Sequence, residues 1–261
     1  NGVGIFLNTA STLLTLTNSG TISGTAGTIE GYGVRIDNAS TLTTLTNTGT
    51  IKGTATGDDG AGVIVQEAGS VLTTLTNHGT ITGNATNGAG GVIVDRGGVI
   101  TTLLNTGTIT GTATGNEGYG VFIQDTNALI TTLTNTGTIT GTAAGGPLGF
   151  GISVKSGAGN GSLTTLNNLQ SNLTYNDELP SNYSTILQGD NYGKVTFSNA
   201  VPAAADTVYT PYAGSGNIGV SIKAGTYTNV MTGMTDANLA GSSTVTGTLT
   251  GNGTDSVGTA N

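Results

Sequence analysis

Few residues in this chain have types and spacing that could do chemistry. Two acids, Asp37 and Asp95, fall in one recurring column that reads Asn8, Asp37, Gln66, Asp95, Gln124, Lys155. Stacked two coils apart, their carboxyls would lie about 10 Å from each other, at the upper edge of the separation used to invert a glycosidic bond. No third acid or paired base converges on them. Alternating acid with amide is also what a solvated column needs to keep like charges from facing one another. The expectation is a polar surface column with no catalytic residue, so the chain is read as a non-enzyme. A carbohydrate-active lyase or hydrolase working through Asp37 and Asp95 is the leading alternative.

Other candidates are weaker. Gly57-Asp58-Asp59-Gly60 could offer carboxylates and carbonyls to calcium. The acids do not recur at that place in other units, and no glycine-rich calcium nonapeptide is present, so they read as exposed loop charge with no metal and no cofactor. His78 takes the place filled elsewhere by Ser19, Thr48, Thr106 and Thr136 and has no evident partner. No nucleophile elbow, Ser/His/Asp set or phosphate loop occurs. Outward threonines form a grid (Thr21, Thr50, Thr80, Thr108, Thr138 beside Thr82, Thr110, Thr140), interrupted by Lys52 and His78. Such a lattice could order water and bind ice, but threonine also favours strands for its own sake.

The elements that must position these residues follow from repetition. A first motif, Gly-x-Gly-apolar-x-apolar, runs from Gly31-Tyr32-Gly33-Val34-Arg35-Ile36 to Gly118-Tyr119-Gly120-Val121-Phe122-Ile123. Its second glycine sits at 4, 33, 62, 91, 120 and 151, a period of 29 that lengthens to 31 in the last unit. A second motif, Leu-Thr-Thr-Leu-Thr-Asn-Thr-Gly-Thr-Ile-Thr-Gly, places asparagines at 18, 47, 77, 105 and 135, with Asn168 in a decayed sixth copy. Alternation by two marks strands. The spacing of three between Leu42 and Leu45 reads as a corner, and segments such as Gly53 to Gly57 read as turns or loops. One unit cannot bury its apolar face alone, so the copies must stack. The expected fold is all-β: a parallel β-solenoid, as a right-handed β-helix, of about six coils over 1–169. Residues 170–261, which include Lys194-Val195-Thr196-Phe197 and Val220-Ser221-Ile222-Lys223, read as an irregular β region that caps the solenoid or folds separately.

Composition sets the remaining bounds. Six Lys plus Arg against 14 acids give a net charge of −8, which argues against nucleic acid. The chain has no Cys, so disulfides and thiolate metal sites are excluded. No apolar run is long enough for a helical membrane span. On the repeat, Asn18, Asn47, Asn77, Asn105, Asn135 and Asn168 fall on the apolar parity, where stacked amides would form a ladder. Phe6, Ile64, Ile93 and Phe122 fall on the opposite parity and form an apolar stripe, a candidate interface covered by residues 170–261 or by another protein. Tyr32 and Tyr119 could stack on sugars, although their parity points them inward. Residues 1–7 already form a coil without a polar cap, so Gly2, Val3, Gly4 and Ile5 are a candidate assembly end for head-to-tail growth.

The repeated Leu-Thr-Asn-Thr-Gly-Thr-Ile-Thr-Gly coils resemble the passenger domains of bacterial autotransporters and related pertactin-like surface proteins. The stretch Gly225-Thr226-Tyr227-Thr228-Asn229-Val230-Met231-Thr232-Gly233-Met234, with Asn238-Leu239, is similar to the segment that often closes such passengers before a membrane barrel, which this sequence does not contain. The resemblance implies a surface β-helix, extracellular or on the outer cell surface. The expected function is therefore non-catalytic and structural: a cell-surface adhesin, or a self-associating matrix, biofilm or fibre component. Its expected partners are further copies of itself, and glycans or a neighbouring cell surface.

Overall fold

The computed structural model describes residues 1–155, 161–188, 190–201, 207–211, 227–235 and 238. It is a parallel β-solenoid with no helix among these residues. Each coil crosses three sheets in turn. Sheet A begins with Gly2–Leu7, Glu30–Ile36, Asp59–Gln66, Gly88–Asp95, Glu117–Ile123 and Leu148–Val154; sheet B takes strands such as Thr41–Asn47 and Val71–Asn77; sheet C takes strands such as Thr50–Ala55 and Thr80–Ala85. The sheets hold nine, eight and five strands respectively. Equivalent residues pair along the stack, Val34 with Val63 and Val63 with Val92, so one short pattern builds every layer.

In one coil Val63, Val65, Leu72, Leu75 and Ile81 point inward and are fully buried. The glycine column in sheet A exists because sheet C presses on it. A Cβ on Gly91 would lie 2.5 Å from Ile109 Cγ2 and 2.7 Å from the carbonyl oxygen of Gly120. The equivalent clash at Gly33 is with Ile51 Cγ2 and the Gly62 carbonyl, both at 2.6 Å.

Several expectations need correction. The three-residue leucine spacing is no corner: Leu42 and Leu45 both point inward from the single strand Thr41–Asn47, with Thr43 omitted from the pairing register. The Gly-Thr-Ala segments are strand rather than loop, since Gly53, Thr54 and Ala55 belong to sheet C. Ala55, Ala85 and Ala113 then pack with Ala89 in a small cluster of their own.

Sheets A and B continue beyond residue 169. Leu173–Glu178 pairs with Leu148–Val154, then Val195–Val201 pairs with it, and Met231–Thr232 pairs last. Asn182–Thr185 and Val208–Pro211 extend sheet B. Sheet C stops at Thr138–Ala143, which shortens the later coils. Gln170 substitutes for the missing strand. Its Oε1 accepts from the Ile139 backbone N–H at 2.8 Å, and its Nε2 donates to the Ile139 carbonyl at 3.1 Å. One side-chain amide thus reproduces both bonds of a strand partner and satisfies a buried edge. Val220-Ser221-Ile222-Lys223 lies outside the described residues, as do Gly225, Thr226 and Leu239 of the passenger-like closing segment; within that segment Tyr227 and Val230 are buried in the main core.

Candidate functional site

Three positions per coil shape the outer face of sheet A. Its leading edge carries Glu30, Asp59, Gly88 and Glu117 in register. Its middle carries Phe6, Arg35, Ile64, Ile93, Phe122 and Ser153 in register. Its trailing edge carries Gln66 against Asp95. The result is a groove of about 230 Å³, with an acidic wall, an apolar floor and a wall of Gln66, Asp95, Arg96 and Gln124. A second hollow of about 370 Å³ shares Glu117, Tyr119 and Phe122 with the first and carries the groove on past Asn176 and Asn199.

The floor is where parity misleads. Tyr32 and Tyr119 do not point into the main core. They join Ala61, Ile64, Ile93 and Phe122 in a separate apolar cluster on the outer side. The Tyr119 and Phe122 rings stack with centroids 4.3 Å apart, and Arg35 lies 5.5 Å from the Tyr32 ring centroid. The register skips Gly33 and its equivalents, so the residue before the glycine faces the same way as the one two places beyond it. Burial, followed by the charges of Glu30 and Asp59, pushes the Tyr32 phenol up; burial and Glu117 do the same to Tyr119. Both phenols therefore stay protonated and able to donate.

The apolar stripe is accordingly not one exposed patch. Ile64, Ile93 and Phe122 are covered by their neighbours, Arg35 interrupts the column, and only Phe6 is broadly exposed, at 47%. Within the region expected to cover it, Asn176, Asp177, Asn199 and Val201 line the groove beside Phe122, while 202–206 and 212–226 lie outside the described residues.

The expected solvated column of acids and amides is buried instead. Asp37, Gln66 and Asp95 are 3%, 2% and 7% exposed. Asp37 is saturated: it accepts from Arg35 Nη2 at 2.7 Å, Arg35 Nε at 3.1 Å, Gln66 Nε2 at 3.0 Å and the Asn38 backbone N–H at 2.7 Å. Arg96 donates to Gln66 Oε1 at 3.0 Å and pairs with Asp95 at 3.1 Å, so one polar chain links the two acids. Asp95 differs from Asp37 in one respect: its Oδ1 is buried without a donor. The nearby carboxyl of Asp125 is another acceptor, so a bond forms there only when one of the two holds a proton. Burial outweighs Arg96, and with Asp125 it raises the Asp95 carboxyl to about 6. The sequence placed Asp95 in a column but gave no sign of this neighbour, which comes from a turn where Asp125 has a left-handed φ of 64°.

The remaining sites are quickly placed. Asn18, Asn47, Asn77 and Asn105 each donate through Nδ2 to the next asparagine's Oδ1 at 2.8 Å, and Asn135 donates to Asn168 at 3.3 Å. His78 is exposed, with Nδ1 2.6 Å from Thr106 Oγ1. Gly2, Val3, Gly4 and Ile5 lie in the outermost strand of sheet A, paired on one side only. The threonine grid lies in register on sheet C, with Thr50, Thr80, Thr108 and Thr138 aligned. Among the described residues no three His, Asp or Glu side chains converge as metal ligands, Asp58 and Asp59 included. No family model, curated protein or solved structure matches this chain.

Proposed function

We propose that this chain is a non-catalytic surface adhesin, acting outside the cell, whose adhesive site is the groove along sheet A and whose ligand is a linear glycan. The observation that carries this reading is the groove's form: an apolar floor between two polar walls, running across successive coils and thus along the stacking direction. A pocket of that build holds an extended chain by shape, while a few placed polar groups fix its orientation. A ligand whose units repeat near the coil spacing would let weak contacts accumulate. The passenger-like repeat supports a place on the cell surface. The enzyme alternative is weakened by Asp37, whose carboxylate accepts from four donors and has no free role as acid or base.

The test is binding of the purified chain to a glycan array and to cells, beside a Gln124→Trp variant. Gln124 is half-buried on the groove wall, so the indole would occupy the groove without entering the core. Glycan binding that the variant abolishes is the expected result. Binding unaffected by the variant, or no glycan bound, would overturn the assignment.

A further inference from the structure

We infer that the open edge of sheet C is a docking site for a segment of this same chain, residues 244–249, which adds to Thr138–Ala143 as the sheet's next strand. Sheets A and B run on past the coil that holds Thr138–Ala143, but among the described residues no strand pairs beyond it in sheet C. The backbone N–H groups of Thr138 and Ala144 donate back toward the preceding coil, to the carbonyls of Gly107 and Ala113. Alternation along the strand then turns Ile139, Gly141 and Ala143 toward the open side. Gln170 holds Ile139. Gly141 and Ala143 thus present two N–H and two C=O groups at an edge that a further strand can pair with. Their exposure agrees: both are part-exposed, whereas Gly53, Gly83 and Gly111 and Ala55, Ala85 and Ala113 in the same columns are buried.

The occupant follows from the formula of the sheet itself. Its strands read Thr-Ile, a polar residue, Gly, a polar residue and Ala. Thr244-Val245-Thr246-Gly247-Thr248-Leu249, which lies outside the described residues, repeats that formula with another apolar residue at two positions, and no other stretch after residue 169 does so. The glycine is the specific part of the match. Sheet C lies so close to sheet A that a Cβ at Gly53, Gly83, Gly111 or Gly141 would collide with the carbonyl of Ala61, Gly90, Tyr119 or Phe150. Because Gln170 already holds Ile139, pairing begins at Thr246. That places Thr246 next after Thr110 and Thr140, whose hydroxyls are 3.4 Å apart along the row, and Leu249 next after Ala143. The chain is long enough. Asn238 accepts from the Thr207 N–H beside the last strand of sheet B, three layers or roughly 14 Å along the stack from Thr138–Ala143. Crossing a strand's length of roughly 20 Å as well makes about 24 Å. The eight residues from Asn238 to Thr246 span up to about 26–29 Å.

The experiment uses the full chain and its lack of Cys. Thr142→Cys with Thr248→Cys places two thiols in register on neighbouring strands, within reach of a disulfide. Oxidation at low protein concentration is expected to bridge them within one chain, at least roughly tenfold more than an out-of-register control, Thr142→Cys with Ser256→Cys. Hydrogen exchange gives a second readout. The Gly141 and Ala143 amides should exchange slowly in the parent and at least roughly tenfold faster in Gly247→Val, with sheets A and B unchanged. A disulfide that forms only between chains would assign the edge to a second copy and overturn docking within the chain. Bridging no better than the control, or unprotected Gly141 and Ala143 amides in the parent, would overturn the docking site itself.

Discussion

Replacing one rung of the asparagine ladder tests what the repeat is built on. Asn77 accepts from Asn47 Nδ2 at 2.8 Å and donates to Asn105 Oδ1 at 2.8 Å, to the Thr108 carbonyl at 3.1 Å and to the Gly79 carbonyl at 3.3 Å. Leucine has asparagine's branching but is larger, so Asn77→Leu leaves no cavity and adds some overpacking to the polar term. Asn105 Oδ1 then loses its donor at a fully buried position, while Asn47 Nδ2 keeps the carbonyls of Gly49 and Thr80. One orphaned acceptor at about 1–3 kcal/mol, with the net value of the three other lost bonds at about 1 kcal/mol each, gives roughly 4–6 kcal/mol in all. Urea unfolding followed by far-UV circular dichroism measures it, since the chain has no Trp to report by fluorescence. Asn77→Asp adds a sign test. A carboxylate there has nothing to donate, so its folded pKa must rise above the unfolded value of about 3.9. Its stability is then present below that value and lost as pH rises through the raised one. If Asn77→Leu unfolds within 1 kcal/mol of the parent chain and Asn77→Asp shows no recovery in acid, the ladder is filler and the reasoning fails.

Three further predictions use the same assay or its pH dependence. Asp95 has a folded pKa near 6 against an ordinary value of 3.8, so its contribution is favourable in acid and is lost as pH rises between those values. Asp95→Asn should therefore be relatively more stable than the parent at pH 7 than at pH 4, and parallel pH profiles would contradict this. Gly91→Ala should cost roughly 1–3 kcal/mol or more by forcing a methyl onto Ile109 and the Gly120 carbonyl, and a neutral result in urea would show that the sheets can move apart freely. Gln170→Glu removes the donation to the Ile139 carbonyl. About 2 kcal/mol should be lost at neutral pH, with increased amide hydrogen exchange in Thr138–Ala143 rather than in sheet B.

The stacked layers were legible because one unit's pattern recurs at a fixed period and cannot bury itself alone. Val63, Val65, Leu72, Leu75 and Ile81 could be assigned to the interior from alternation and repetition without knowing where each strand bends. The bends were less legible, since the Leu42-to-Leu45 spacing can be met by a corner or by one skipped residue inside a strand, and only pairing with the neighbouring coil decides. The end of sheet C was not legible either. Nothing in the local sequence marks Gln170 as a strand substitute, because its role depends on Ile139, a residue one coil away.

The groove was half visible for a related reason. The outward stripe of Ile64, Ile93 and Phe122 could be read from parity, but the glycine skip that turns Tyr32 and Tyr119 to the same side reverses parity within a single strand. Once those rings share the face, the stripe becomes a floor, and the acids at both strand ends become walls above it. The same geometry buries the column that alternation had placed in water. Asp37 and Asp95 occupy equivalent positions two coils apart, yet they differ in chemistry because Arg35 lies within reach of one and Asp125 faces the other. A repeat therefore fixes where a side chain stands, while the unrepeated residues beside it fix its charge, its partners and what the groove can hold.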